Sequence, residues 1–137
     1  LCEKSNINVE DISLGIGADL RIGSRFLRPG PAYGGSCFPK DTKGLVSTGE
    51  HFNVDLSLVK AVIRSNNNRK ILHTKRIDKI IGKSFKNKKI AFLGVTFKAN
   101  TDDMRDSTSL NMIPYLTRKG AKVYYYDPTG EKLNFKK

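Results

Sequence analysis

Cysteine is scarce in this chain: Cys2 and Cys37 are the two in 137 residues. Two cysteines without a recognisable leader make no disulfide framework, and the expectation is a reducing, cytoplasmic setting. No apolar run approaches the roughly 20 residues of a membrane span, so no membrane partner is expected. Histidine is equally sparse. His51 and His73 have no second histidine or cysteine nearby at ligand spacing, so no metal site is expected. Neither histidine has a recognisable partner as the base of a thiol acyl transferase, which disfavours that class. The sequence also contains no Gly-x-Gly-x-x-Gly, so a pyrophosphate held only by backbone amides is not indicated. What remains is a globular composition, 38% hydrophobic, enough for one compact domain or two small ones.

Acidic side chains are few relative to basic ones, and the net charge is +12. Residues 1–50 are balanced, with six of each sign, and residues 90–137 carry eight basic and five acidic; residues 51–89 carry eleven against two. That middle stretch has only Phe52 and Phe85 as aromatics, whereas a single-strand nucleic-acid surface interleaves cations with stacking rings. No nucleic-acid partner is expected. A polyanionic small molecule would still be favoured by the field.

The richest segment is Gly30-Pro-Ala-Tyr-Gly-Gly-Ser-Cys37-Phe-Pro-Lys-Asp41. It sets a cysteine on a glycine-rich turn, with Lys40 and Asp41 just beyond. A nearby ammonium favours thiolate over thiol, so Cys37 is a candidate nucleophile. Glycines let a substrate approach the backbone and let amides face developing negative charge. The plainer alternative is a buried cysteine after a tight turn; Cys2, with no Gly, Lys or Asp setting, is expected in the core.

Asn8 predicts a cap for a short helix over 9–16, and a helical turn is expected near 19–27, delivering Arg21, Arg25 and Arg28 toward the cysteine loop. Asp41-Thr42 predicts a helix over 41–50, with Asp41 capping, reacting, or both. Residues 55–82 give the strongest helical signal: Val59, Val62, Ile63, Ile77, Ile80 and Ile81 recur at helical spacing, and Gly82 supplies the stop. Heptad steps from Val59 put Asn66 and His73 on the apolar face. Such an asparagine either sets register in a helix-paired dimer or bonds a neighbouring loop. The basic stretch 83–89 reads as a linker. After it, 90–97 predicts a buried parallel strand, 107–119 an amphipathic helix that Pro114 could kink, and 121–126 a second strand. Strand, helix and strand make a βαβ unit, the opening of a doubly wound parallel sheet. The fold class expected is therefore mixed: an all-α first part over 1–82, then the start of an α/β Rossmann-like domain over 90–137. The loop 98–106 follows a parallel strand, where open α/β sheets bind ligands, and either holds an anion through Lys98 and Arg105 or pairs these cations with Asp102, Asp103 and Asp106.

Arg21-Ile-Gly-Ser-Arg-Phe-Leu-Arg28, Gly-Gly-Ser-Cys37-Phe-Pro-Lys-Asp41, and Leu93-Gly-Val-Thr-Phe-Lys98 with Asp-Asp-Met-Arg105-Asp-Ser after it stand in the order found in nucleotide-sugar dehydrogenases. The chain resembles the UDP-glucose/GDP-mannose dehydrogenase family over essentially its whole length. In that family an NAD-binding Rossmann domain precedes a helical dimerisation domain and a nucleotide-sugar-binding Rossmann-like domain. The resemblance is to the second domain and the beginning of the third.

The resemblance implies an NAD-dependent, twofold oxidation of a sugar's primary alcohol. Cys37 would trap the aldehyde as a thiohemiacetal, and the second oxidation would leave a thioester that water cleaves to the uronate. Asp41 would assist by holding water or the catalytic lysine. Arg28, Pro29, Gly30, Pro31, Ala32, Tyr33 and Gly34 would line the sugar-nucleotide pocket, with Phe97 and Lys98 contacting substrate. Cys37, Lys40 and Arg105 would lie by NAD. Arg21 would reach the substrate of a partner subunit in a homodimer built through 55–82. Ala32 and Tyr33 stand where the family varies. The Arg21 stretch leans toward UDP-glucose over GDP-mannose and UDP-N-acetylmannosamine. Alone, these residues are expected to show little turnover, and a non-catalytic dimerising or ligand-holding role is the alternative.

Overall fold

The computed structural model describes residues 1–135, the side chain of Asn134 excepted. The chain divides into two compact units, the first Leu1–Gly30 and the second beginning at Pro31.

The first unit holds α1 (Cys2–Ser5) and α2 (Val9–Gly17). Asn8 caps α2 as expected, its side-chain oxygen accepting from the Glu10 amide at 3.0 Å, and Glu10 and Asp11 occupy the positively polarised first turn. Past α2 the chain makes one turn, closed by Gly23 N donating to Asp19 O at 2.8 Å, and then runs back along the helix. The Ser13 hydroxyl fastens that return by donating to Leu27 O at 2.7 Å. Gly17 permits it: a Cβ there would meet Ser24 Cα at 3.1 Å.

The second unit opens with the cysteine loop and continues into α3 (Phe38–His51) and α4 (Ser57–Ile81). Helix α3 begins three residues before the predicted start at 41. Pro39 lies in its first turn, where a missing N–H costs nothing because those amides have no intrahelical acceptor. Asp41 is therefore inside the first turn and no cap; Cys37 occupies the cap position without a side-chain bond. Helix α4 matches its expected span, ending at Gly82 with φ 83°. Its inward face is Val59, Ile63, Asn66, Lys70, Thr74, Ile77 and Ile81. Val62 and Ile80, expected on that apolar face, point outward at 46% and 81% exposure, together with Leu58 and Leu72.

β1 (Lys89–Leu93), α5 (Ser109–Arg118) and β2 (Lys122–Tyr126) form the βαβ unit, with β1 and β2 parallel and Ile90 opposite Val123. A 3-10 turn, Leu133–Phe135, follows. β1 stops four residues short of the predicted strand because Gly94, at φ 83°, turns the chain out after a last rung to Tyr126 O. Continuous burial was expected of this strand, but burial alternates in both strands: Ile90, Phe92 and Val123 face the core while Leu93, Tyr124 and Tyr126 are exposed. Among the described residues only one face of the sheet is covered. Pro114 lies within α5, which continues to Arg118. The core is Phe85, Leu116 and Ala121, with Ile77 and Ile81 of α4 packed against it, so the basic stretch 83–89 contributes a buried aromatic. Among the described residues no helix is long and apolar enough to cross a membrane.

Candidate functional site

The carboxyl end of β1 is fixed in three ways. Val95, 1% exposed, donates its amide to the Asp127 carboxylate at 2.9 Å. Its carbonyl accepts from the hydroxyls of Ser107 and Ser109 at 2.6 and 2.5 Å. Asp127 also accepts from the Thr129 hydroxyl and amide and lies 3.6 Å from Lys132 Nζ. Those bonds, the Thr129 hydroxyl first and the Val95 amide next, hold its carboxyl far below the usual carboxylate range. The loop after β1 thus leaves the sheet from a rigid base.

That loop is closed on itself by Phe97 N donating to Asp103 O at 3.1 Å. Asp103 grips Arg105 through the arginine amide at 2.8 Å and through both carboxylate oxygens, with Nε to Oδ1 at 3.0 Å and Nη2 to Oδ2 at 2.9 Å. The guanidinium in turn depresses the Asp103 carboxyl. Lys98 Nζ stands 5.5 Å above the Phe97 ring. Of the two expectations for this loop, the pairing of a cation with an acid is observed for Arg105 and Asp103. Arg105 still keeps 70% of its side chain exposed, and Lys98 is exposed.

The cysteine loop packs on this loop. Gly35 N donates to Arg105 O at 2.7 Å. A Cβ on Gly34 would stand 2.7 Å from Asp106 O, and one on Gly35, at φ 81°, 2.8 Å from Phe97 Cζ. Only glycine allows that approach, so the paired glycines bring two motifs about 60 residues apart in sequence into one place. Cys37 is exposed at the amino end of α3, its sulfur 3.7 Å from Ser36 Oγ. The helix dipole is positive there, and Lys40 and Arg105 both interact electrostatically with the sulfur. Lys40 forms a 2.9 Å ion pair with Asp41, which is the main reason the Lys40 ammonium is held above its usual range. A cleft of ≈ 530 Å³ next to the cysteine loop is lined by Gly35, Ser36, Pro39, Lys40, Lys43, Arg105 and Asp106, and Cys37 itself is not in its wall.

Helix α4 supports both loops. Asn66 accepts from Tyr33 N at 2.8 Å and donates to Tyr33 O at 3.0 Å, which realises the loop-bonding alternative for this residue. His73 Nε2 lies 3.1 Å from Pro31 O. Lys70, nearly buried, donates to Asp106 O at 3.1 Å and lies 3.4 Å from its carboxylate. Ala32 is half-buried in the same loop, and the Tyr33 ring packs 5.9 Å from that of Phe38.

Two models of one family match the sequence: its central domain over residues 1–68 and its UDP binding domain over residues 91–137. The chain belongs to the UDP-glucose/GDP-mannose dehydrogenase family. It is 48% identical over 130 residues to the UDP-glucose 6-dehydrogenase of Rhizobium meliloti (strain 1021), covering 95% of this chain and 30% of that protein. It is 44% identical over 130 residues to the UDP-glucose 6-dehydrogenase of Rickettsia felis, with 95% and 29% covered. A solved UDP-glucose dehydrogenase from the hyperthermophilic archaeon Pyrobaculum islandicum matches with a TM-score of 0.83 and 32% identity, covering 91% of this chain and 29% of that one. The chain thus spans about 30% of the length of the curated relatives it matches.

In this dehydrogenase-family chain the second unit brings Pro31, Ala32, Tyr33, Gly34, Cys37, Lys40, Asp41, Phe97, Lys98 and Arg105 onto two adjoining loops and the helix start between them. Arg21, Arg28, Pro29 and Gly30 belong to the first unit. There Arg21 is bound to Asp19, Nε to Oδ1 at 3.0 Å, and Arg28 and Pro29 line a cleft of ≈ 820 Å³ with Ser13 and Leu27. Sequence reasoning missed Lys70, which reads as one more solvated cation. Its signal was its place four residues after Asn66, on the face already known to be inward.

Proposed function

We propose that the chain is part of an NAD-dependent UDP-glucose 6-dehydrogenase, converting UDP-glucose, water and two NAD⁺ to UDP-glucuronate, two NADH and three protons. The observation that carries this reading is the Gly35–Arg105 hydrogen bond, which joins the cysteine loop to the cationic loop at a parallel strand's end. The Cys37 thiolate adds to the aldehyde carbon, forming a C–S bond and an alkoxide that takes a proton. The tetrahedral carbon so formed carries the hydrogen lost in the second oxidation. Water then attacks the thioester and returns the thiol, and the Asp41 carboxylate assists by holding that water or the catalytic lysine.

The cleft next to the cysteine loop, with Lys40, Lys43 and Arg105, fits the phosphate-bearing part of a dinucleotide. Bound there, NAD would accept the hydride of each oxidation. On the same reading Arg28 to Gly34, Phe97 and Lys98 bind the sugar nucleotide, and Arg21 serves a partner's site. The outward stripe Leu58, Val62, Leu72 and Ile80 supports a homodimer through α4. Residues 1–82 act as the central domain, 83–89 as a connector and 90–137 as the beginning of the UDP-sugar domain. These 137 residues by themselves are expected to reduce no NAD⁺ at a measurable rate. Calorimetric titration tests the substrate: UDP-glucose should bind more tightly than GDP-mannose or UDP-N-acetylmannosamine, and a preference for either rival would overturn the assignment.

A further inference from the structure

Three polar residues on one face of α4, Asn66, Lys70 and His73, reach the two loops of the site from behind. Asn66 spans the Tyr33 peptide, taking its N–H at 2.8 Å and giving to its carbonyl at 3.0 Å, as a paired strand would. His73, two turns on, meets the Pro31 carbonyl at 3.1 Å. Between them Lys70 holds Asp106 of the facing loop, and that loop in turn holds Gly35 through the Arg105 carbonyl. The cysteine loop is thus fastened to a rigid helix at Tyr33 and to the cationic loop at Gly35. Beyond these bonds the segment is placed by the packing of Gly34 and Gly35 on Asp106 and Phe97.

We propose that Asn66 is a positioning residue: by clamping the Tyr33 peptide it sets where the Cys37 sulfur stands relative to Arg105. The inference rests on the reading of Cys37 as the reacting thiol. Asn66 touches no reacting atom, and its effect passes through the loop. If the clamp opens, the sulfur keeps its place at the start of α3 and keeps Lys40, and Gly35 keeps its bond to Arg105 O, but the loop is freed on its Tyr33 side and the sulfur's position relative to the Arg105 side chain loosens. Lys70 acts on the same geometry from the other side.

The test needs no bound ligand. In a Cys2→Ser background, the rate of Cys37 with 4,4′-dithiodipyridine is measured at pH 8 for the four members of the cycle Asn66→Leu, Arg105→Ala, both and neither. With Asn66 present, Arg105→Ala should slow the thiol about threefold, the size of an exposed charge interaction; with Leu at 66 that factor should fall to near one. Asn68→Ala, an exposed change on the same helix, should leave the factor intact. A folded Asn66→Leu chain that keeps the Arg105 effect overturns the proposal. So does an Arg105→Ala change without effect in either background, or an Asn68→Ala chain that loses the coupling. If Asn66→Leu does not melt cooperatively, Asn66→Ser replaces it, its side chain too short to span both Tyr33 atoms. A failure to bind UDP-glucose by calorimetry would count against the substrate assignment while leaving this cycle readable.

Discussion

Gly34→Ala isolates the contact that assembles the site. The new Cβ would stand 2.7 Å from Asp106 O and 3.0 Å from Asp106 C and Phe97 Cβ. Two of these are backbone atoms, which cannot swing aside, so the cysteine loop and the loop after β1 must separate. Overpacking against a fixed neighbour costs about 2 kcal/mol. Loosening the 2.7 Å Gly35–Arg105 hydrogen bond adds about 1 kcal/mol. Replacing glycine returns about 0.5 kcal/mol by restricting the unfolded chain. The net loss is about 2.5 kcal/mol, a fall in Tm of roughly 10 °C for a chain of this size. Gly30→Ala is the control, because nothing lies within 4 Å of its Cβ position; it should be neutral or slightly stabilising. Gly35→Ala should fall between the two, since its φ of 81° strains alanine while the clashing Phe97 ring end can rotate. Thermal unfolding followed by circular dichroism measures all three. If Gly34→Ala melts within about 1 °C of Gly30→Ala, the two loops are not in the contact described and the reasoning fails.

Asp127→Asn should cost about 2 kcal/mol in urea unfolding, because it leaves buried Lys132 without its carboxylate partner; an unchanged midpoint would contradict this. The Asp127 carboxyl is depressed in the folded chain, so the stability it contributes is present above the ordinary carboxylate pKa and is lost as pH falls below about 4. Melting scans from pH 7 downward should therefore show a steeper decline for the parent chain than for Asp127→Asn. Leu116→Ala, at a fully buried core position, should cost about 3 kcal/mol in the same assay. Leu72→Lys places a charge in the outward stripe of α4; sedimentation should shift from dimer to monomer, and a parent chain that is already monomeric would sink the dimer proposal.

The βαβ unit and the long helix are legible because each rests on a strong local signal: sustained periodicity in α4, and apolar runs separated by an amphipathic segment around α5. The phase of α4 is less so. Val62 and Ile80 fit the spacing rule but face outward, because the inward face is set by polar residues that find specific partners, which periodicity of apolar residues does not register. The start of α3 lies three residues before the one the Asp41-Thr42 cap signal implies, because Pro39 is compatible with a first turn, where its missing N–H has no intrahelical acceptor. The strand after residue 89 was overestimated because Gly94 follows the apolar run's pattern while its φ ends the ladder. Motif order singles out the candidate residues, whereas the Asp103–Arg105 and Lys40–Asp41 pairings depend on loop geometry. No spacing rule supplies that geometry.

The Cys37 loop and the Phe97–Arg105 loop are proposed to form one nucleotide-sugar site. Alkylation of Cys37 by iodoacetamide, in a Cys2→Ser background and followed by mass spectrometry, tests it most directly. UDP-glucose should slow the alkylation in a saturable manner, and Phe97→Ala or Lys98→Ala should weaken the protection. Alkylation at the same rate with and without UDP-glucose would contradict it.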